Sequence, residues 1–89
     1  MDMLTLVKEN EKGKTYQADE CKILYRKVGT VSWDNDINPH EIIYLIAGKA
    51  EFTLNNESII YEAPARIEFP ANTYHAIRAL TDISLVLFD

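Results

Sequence analysis

A histidine and a carboxylate stand side by side at one place in this chain, His40-Glu41, and a second histidine, His75, follows later; there is no third. An imidazole near a carboxylate can move protons, hold a ligand by hydrogen bonds or bind a metal ion. Other chemistries are poorly supplied. Cys21 is the only cysteine, which excludes an internal disulfide and a cysteine-based zinc site. It reads as a buried or half-buried structural thiol, because no histidine spacing marks it as a nucleophile. No Ser-His-Asp arrangement can be placed. The three glycines are scattered, so no phosphate-cradling loop exists. Glu51 and Glu68 fall on outer faces, without the enclosure that glycosidase carboxylates need.

The elements that position Glu41 are strands. Ile43, Leu45 and Ala47 share its parity, so one face carries a carboxylate at the mouth of an apolar surface. Gly48 breaks the run. Ala50, Phe52 and Leu54 then form a second apolar face, with Lys49, Glu51 and Thr53 opposite. Asn55-Asn56 supplies two residues that tolerate positive φ, as a two-residue hairpin loop requires.

The rest of the chain has the same rhythm. Leu4, Leu6 and Val7 predict a short first strand, and the polar stretch 8–14 reads as a solvated loop. Residues 15–20 fit either a loop or an edge strand. Two runs meet at Gly29 within residues 21–33, with Val31 and Trp33 on one face of the second. Residues 34–39 are a turn cluster. Residues 58–61 are rich in β-branched side chains and stop at Glu62-Ala63-Pro64. Ala65, Ile67 and Phe69 alternate with Arg66 and Glu68. After the turn at 70–73, His75, Ile77 and Ala79 share a face opposite Tyr74, Ala76 and Arg78. Ile83, Leu85 and Leu87 close the chain. No helical period appears. Roughly nine short strands predict an all-β sandwich or barrel in one domain, residues 1–89. Within it, 1–20 would be an N-terminal edge strand and loop and 21–89 the core barrel.

Charge and hydropathy narrow the partners. Fourteen acids against nine bases give a net charge of −5, which disfavours nucleic acid and anionic lipid. No apolar run approaches the ~20 residues of a membrane span, and the N-terminus lacks a signal pattern. The expectation is a cytoplasmic protein. An 89-residue chain buries a thin core, so a homodimer through outer or N-terminal strands is expected. Arg26, Arg66 and Arg78 are candidates to meet an anionic ligand, with a solvated outer face as their default.

Glu41, six residues and Gly48, joined to Pro70-x-Asn72-x-x-His75, resemble the two motifs of cupins over about residues 30–89. The family pattern runs His-x-His, three or four residues, Glu, six residues, Gly, and later Pro-x-Gly-x-x-His. The resemblance implies a double-stranded β-helix, a small jelly-roll barrel. Its first metal-binding motif is degenerate here: Asp34-Asn35-Asp36, or Asn35-Asp36-Ile37, stands where His-x-His would be. Asn72 replaces the second-motif glycine, and Ala79 replaces an asparagine.

Metal-bearing cupins hold an ion with three histidines and a glutamate, and two histidines cannot complete that set. The largest set here is Glu41, His75 and one or two of His40, Asp34 and Asp36. Two histidines and a carboxylate suit iron, and added aspartates would suit manganese or iron. The cofactor expectation is no certain group, with a divalent iron, manganese, nickel, copper or zinc ion as the candidate. Adjacent strand residues point oppositely, so His40 joins Glu41 only from the turn after Pro39. The alternative is a barrel histidine, His75, bonded to Glu41 or a tyrosine without an ion. Asp34 and Asp36 are then turn formers and His40 an exposed turn residue.

Three functions are consistent with these residues. The first is a small-molecule-binding barrel, non-catalytic or weakly catalytic, floored by Ile43, Leu45, Phe52 and Ile77, with Glu41 and His75 as polar groups. The second is a metal-dependent enzyme of the dioxygenase or sugar-isomerase kind that the resemblance implies. The third is a structural or partner-binding module packed solid. Tyr44, Tyr61, Tyr74 and Trp33 are candidates for the barrel mouth or the core.

Overall fold

Most of the strands form where one face of the chain has an apolar surface to lie on. The computed structural model describes residues 4–35 and 39–88, the side chains of Asp34 and Asn35 excepted. Ten strands follow in order: β1 (Thr5–Asn10), β2 (Gly13–Gln17), β3 (Lys22–Arg26), β4 (Val31–Asn35), β5 (Glu41–Ala47), β6 (Lys49–Leu54), β7 (Glu57–Glu62), β8 (Ala65–Phe69), β9 (His75–Ala79) and β10 (Ile83–Phe88). They make two antiparallel sheets, ordered β1-β2-β3-β10-β5-β8 and β4-β9-β6-β7. The all-β, jelly-roll expectation holds.

The inner faces supply the core. Leu24, Ile43, Leu45, Ile67, Phe69 and Leu85 from the larger sheet meet Ala50, Phe52, Ile77 and Ala79 from the smaller. These are the inward parities of the sequence, so burial of one face per strand fixes the register. Neither β1 nor β2 contributes to this cluster. The smaller sheet covers the other strands and leaves this pair as an overhang.

That overhang corrects one expectation. Residues 8–14 are not a loop: they complete β1, turn at Glu11-Lys12 and begin β2, with Glu9 paired to Lys14 and Asn10 to Gly13. Strand β1 is exposed throughout. With no sheet above it, nothing selects apolar residues at alternate positions, and its period is absent from the sequence.

Three turns set the strands that carry the site. Gly48 joins β5 to β6 at φ +90°, where a Cβ would stand 2.3 Å from the Asp82 carbonyl oxygen, so only glycine fits. Asn55 and Asn72 adopt φ 55° in the β6–β7 hairpin and before β9. Asparagine tolerates that left-handed conformation, which is how Asn72 serves where the resembled motif has glycine. A further departure from regularity lies in β4. Trp33 has φ 61°, and the pairing with β9 shifts between Ser32 and Asn35. Val31 and Trp33 therefore do not share a face: Val31 borders an outer groove with Glu51 and Arg78, whereas Ser32 and Trp33 turn together toward the interior.

Candidate functional site: a buried acid–imidazole pair beside a cationic cleft

Glu41 opens β5 in one sheet and His75 opens β9 in the other, and both point inward. Their side chains meet across the interior, with His75 Nε2 3.3 Å from Glu41 Oε1 and outside hydrogen-bonding geometry. His75 is 0% exposed and Glu41 5%. The imidazole is held from three sides. Its ring stacks on Phe69 at 4.3 Å between centroids, Trp33 lies 6.4 Å away, and Nδ1 is 3.1 Å from the Thr73 carbonyl oxygen.

That carbonyl fixes the tautomer. A carbonyl oxygen only accepts, so Nδ1 carries the proton and donates it to Thr73. In a neutral ring Nε2 is then a bare lone pair aimed at a carboxylate oxygen. Two lone pairs facing each other away from water repel, and a proton or another cation between them removes the conflict.

The other sequence candidates are distributed as follows. Ile43, Leu45, Phe52 and Ile77 are each 3% exposed or less and pack in the core around the pair. His40 is not brought to Glu41. It lies on the exterior, where its ring meets Glu68, and Arg66 approaches the same carboxylate at 3.5 Å. Asp36 and the side chain of Asp34 lie outside the described residues. Among the described residues no three His, Cys, Asp or Glu side chains gather to hold a metal ion. Glu41 and His75 supply two ligands, short of the three or four that a transition-metal site uses. Of the aromatics, Tyr61 packs edge-on to Phe52 in the core, Tyr44 is exposed on the outer face and Tyr74 borders an outer groove.

A cleft of about 330 Å³ opens where the β1–β2 overhang faces β4. Leu24, Leu87 and Trp33 make its apolar wall, and Lys8, Lys12, Lys22 and Arg26 also line it. Trp33 therefore separates the cleft from His75, with one ring bordering both. Sequence reasoning missed this convergence, because the four cations come from separate strands and a turn.

Arg26 departs from the solvated position expected of it. Its Nε donates to Ser32 Oγ at 3.3 Å, Nη2 to Thr15 Oγ1 at 2.9 Å, and Nη1 to the carbonyls of Lys14 and Tyr25. Burial pulls its pKa below the ordinary arginine value.

No family model and no curated protein matches the chain by sequence. Solved structures match it by shape. The capsular polysaccharide assembling protein CapF from Staphylococcus aureus superposes with a TM-score of 0.81 at 14% identity, covering 99% of this chain and 28% of CapF. An RmlC-like cupin from Shewanella frigidimarina gives 0.80 at 11% identity over 94% of this chain and 80% of its own. Salicylate 1,2-dioxygenase from Pseudoaminobacter salicylatoxidans gives 0.72 at 18% identity over 76% of this chain and 20% of the enzyme. The chain thus spans under a third of CapF and of the dioxygenase. At such identities the likeness is one of fold, and that fold is the cupin double-stranded β-helix.

Proposed function

From a chain with the cupin fold, we propose a small-molecule-binding barrel without catalysis of its own, its ligand seated in the cleft beside Trp33. The observation that carries this is Trp33 itself, which walls the cleft on one side and lies over His75 on the other. A volume of about 330 Å³ sits at the small end of the ~300–1,000 Å³ range of ligand pockets. Leu24 and Leu87 give it an apolar floor. A general base must come within about 3 Å of the proton it removes, and His75 is closed off beneath Trp33 and Phe69. The buried pair supports the cleft wall rather than reaching a substrate.

Trp33 is the only tryptophan, so intrinsic fluorescence reports on the cleft directly. Titration with a panel of small polar and aromatic molecules should give saturable changes for some of them. A panel that leaves the emission untouched at millimolar concentration would contradict the reading.

One observation favours a second reading. Nε2 and Oε1 stand close enough to share a metal cation, and either Asp34 or Asp36 would have to complete its ligands. Elemental analysis of untagged protein decides this: near one equivalent of iron, manganese, nickel, copper or zinc supports a metal centre, and its absence with refusal of added metal removes it.

As macromolecular partner we propose a second copy of the chain. The outer face of the larger sheet carries Ile23 and Tyr25, Val86 and Phe88, and Ile42, Tyr44 and Ile46. Val86 pairs with Ile23 on one side and Tyr44 on the other, so the patch is continuous. An antiparallel sheet that faces water alternates to polar residues on that side, and this one does not.

A further inference from the structure

We infer that the cleft between the β1–β2 hairpin and β4 recognises an anion, a small molecule bearing a carboxylate or phosphate group. This rests on the cleft being the ligand site and adds the chemistry of its ligand. Lys8, Lys12, Lys22 and Arg26 line it, and no acidic side chain does so among the described residues. In a chain of net charge −5 this is a local reversal of sign. The acid next along β1, Glu9, meets Lys14 at 3.8 Å on the opposite face. Four like charges repel one another, and a bound anion relieves that repulsion.

The arrangement around Arg26 points the same way. Its acceptors among the described residues are two hydroxyls and two carbonyls, all neutral. Among the described residues this half-buried guanidinium is held only by dipoles and meets no counter-charge of the kind such groups usually have. Four of its five N–H groups are used in these bonds, leaving one on Nη2. The bonds also orient their acceptors. Ser32 Oγ and Thr15 Oγ1 accept from Arg26, so their hydroxyl protons turn elsewhere, and both residues line the cleft. Cations and oriented hydroxyl donors together suit the oxygens of a carboxylate or phosphate. Lys12 Nζ donates to the Val31 carbonyl at 3.0 Å, which ties the hairpin turn to β4 and closes that end of the site.

The test combines Trp33 fluorescence with calorimetry, using succinate, inorganic phosphate and uncharged succinamide as probes. The protein carries Lys8→Gln, Lys12→Gln and Lys22→Gln together, all at hairpin and strand surfaces; Arg26→Gln is a second variant whose folding is checked by circular dichroism. Succinate or phosphate should bind saturably and succinamide should not. Affinity should fall about tenfold or more in the triple variant and with added salt. Which of the two anions binds tighter assigns carboxylate or phosphate. Anion binding that is equal in wild type and triple variant overturns the inference. Neutral aromatic fragments that shift Trp33 while neither anion binds leave the binding barrel standing and overturn its anionic ligand. Silence toward every probe overturns both.

Discussion

Glu41 and His75 face each other from opposite sheets across 3.3 Å, both shut away from water, with the imidazole proton committed to Thr73. Their contact ties the first strand of the central hairpin to the strand that crosses beneath Trp33. Removing either partner has a different cost. His75→Ala deletes a fully buried ring stacked on Phe69 and leaves a cavity between the sheets, so unfolding free energy should drop by about 3–5 kcal/mol. Glu41→Gln puts an amide N–H opposite Nε2 and should cost under about 1.5 kcal/mol. Chemical denaturation of both variants checks the order. Equal losses would mean that the pairing contributes little.

Gly48 is the second lever on the same hairpin. Gly48→Ala places a Cβ against the Asp82 carbonyl at φ +90°. The expected loss is about 2–4 kcal/mol, read from the denaturation midpoint. Asn72→Gly, at a left-handed position on the other loop, should stay within about 0.5–1 kcal/mol of wild type.

The exterior cluster titrates in a defined direction. The hydrogen bond from His40, then its charge, and the charge of Arg66 hold the Glu68 carboxyl below the ordinary glutamate value. A carboxyl whose folded pKa is depressed contributes stability above its unfolded pKa and loses it as pH falls through the folded one. Glu68 is exposed, so that contribution is screened and small. The Glu68 side-chain carbon signal in NMR should titrate below pH 4.5, and His40→Ala should raise its midpoint. No movement in that variant would show that His40 does not set it.

The outer face should hold two copies together. Sedimentation equilibrium should return a mass near twice 10.2 kDa. Tyr25→Lys with Tyr44→Lys, both exposed in the single chain, should halve that mass without unfolding the barrel. A wild-type monomer at high micromolar concentration would exclude this face as a dimer surface.

The strands legible in the sequence are those with one face in the core. Glu41, Ile43 and Leu45, or His75, Ile77 and Ala79, show their inward parity because burial enforced it. Strand β1 shows none, since no sheet lies over Lys8 or Asn10. The bend at Trp33 was equally hidden: residue type does not announce a tryptophan at φ 61°, and that one dihedral moves its ring onto the cleft. The glutamate and the second histidine were visible as strand residues and as motif positions. The cationic cleft was not, because Lys8, Lys12, Lys22 and Arg26 meet only after β1, β2 and β3 pair. A basic stretch interleaved with Glu9 and Glu11 reads as solvated until the pairing sends Lys8 to the cleft and Glu9 to the other face.

The most direct measurement of the central claim is an amide and methyl NMR map recorded while succinate, phosphate and neutral aromatic fragments are added in turn. A ligand seated beside Trp33 should shift the indole N–H, the Leu24 and Leu87 methyls and the Thr15 amide, and leave the methyls of Ile59 and Ile60 in place. Shifts confined to the outer patch of Tyr25, Tyr44 and Val86, or no shifts at all, would contradict a binding site in the cleft.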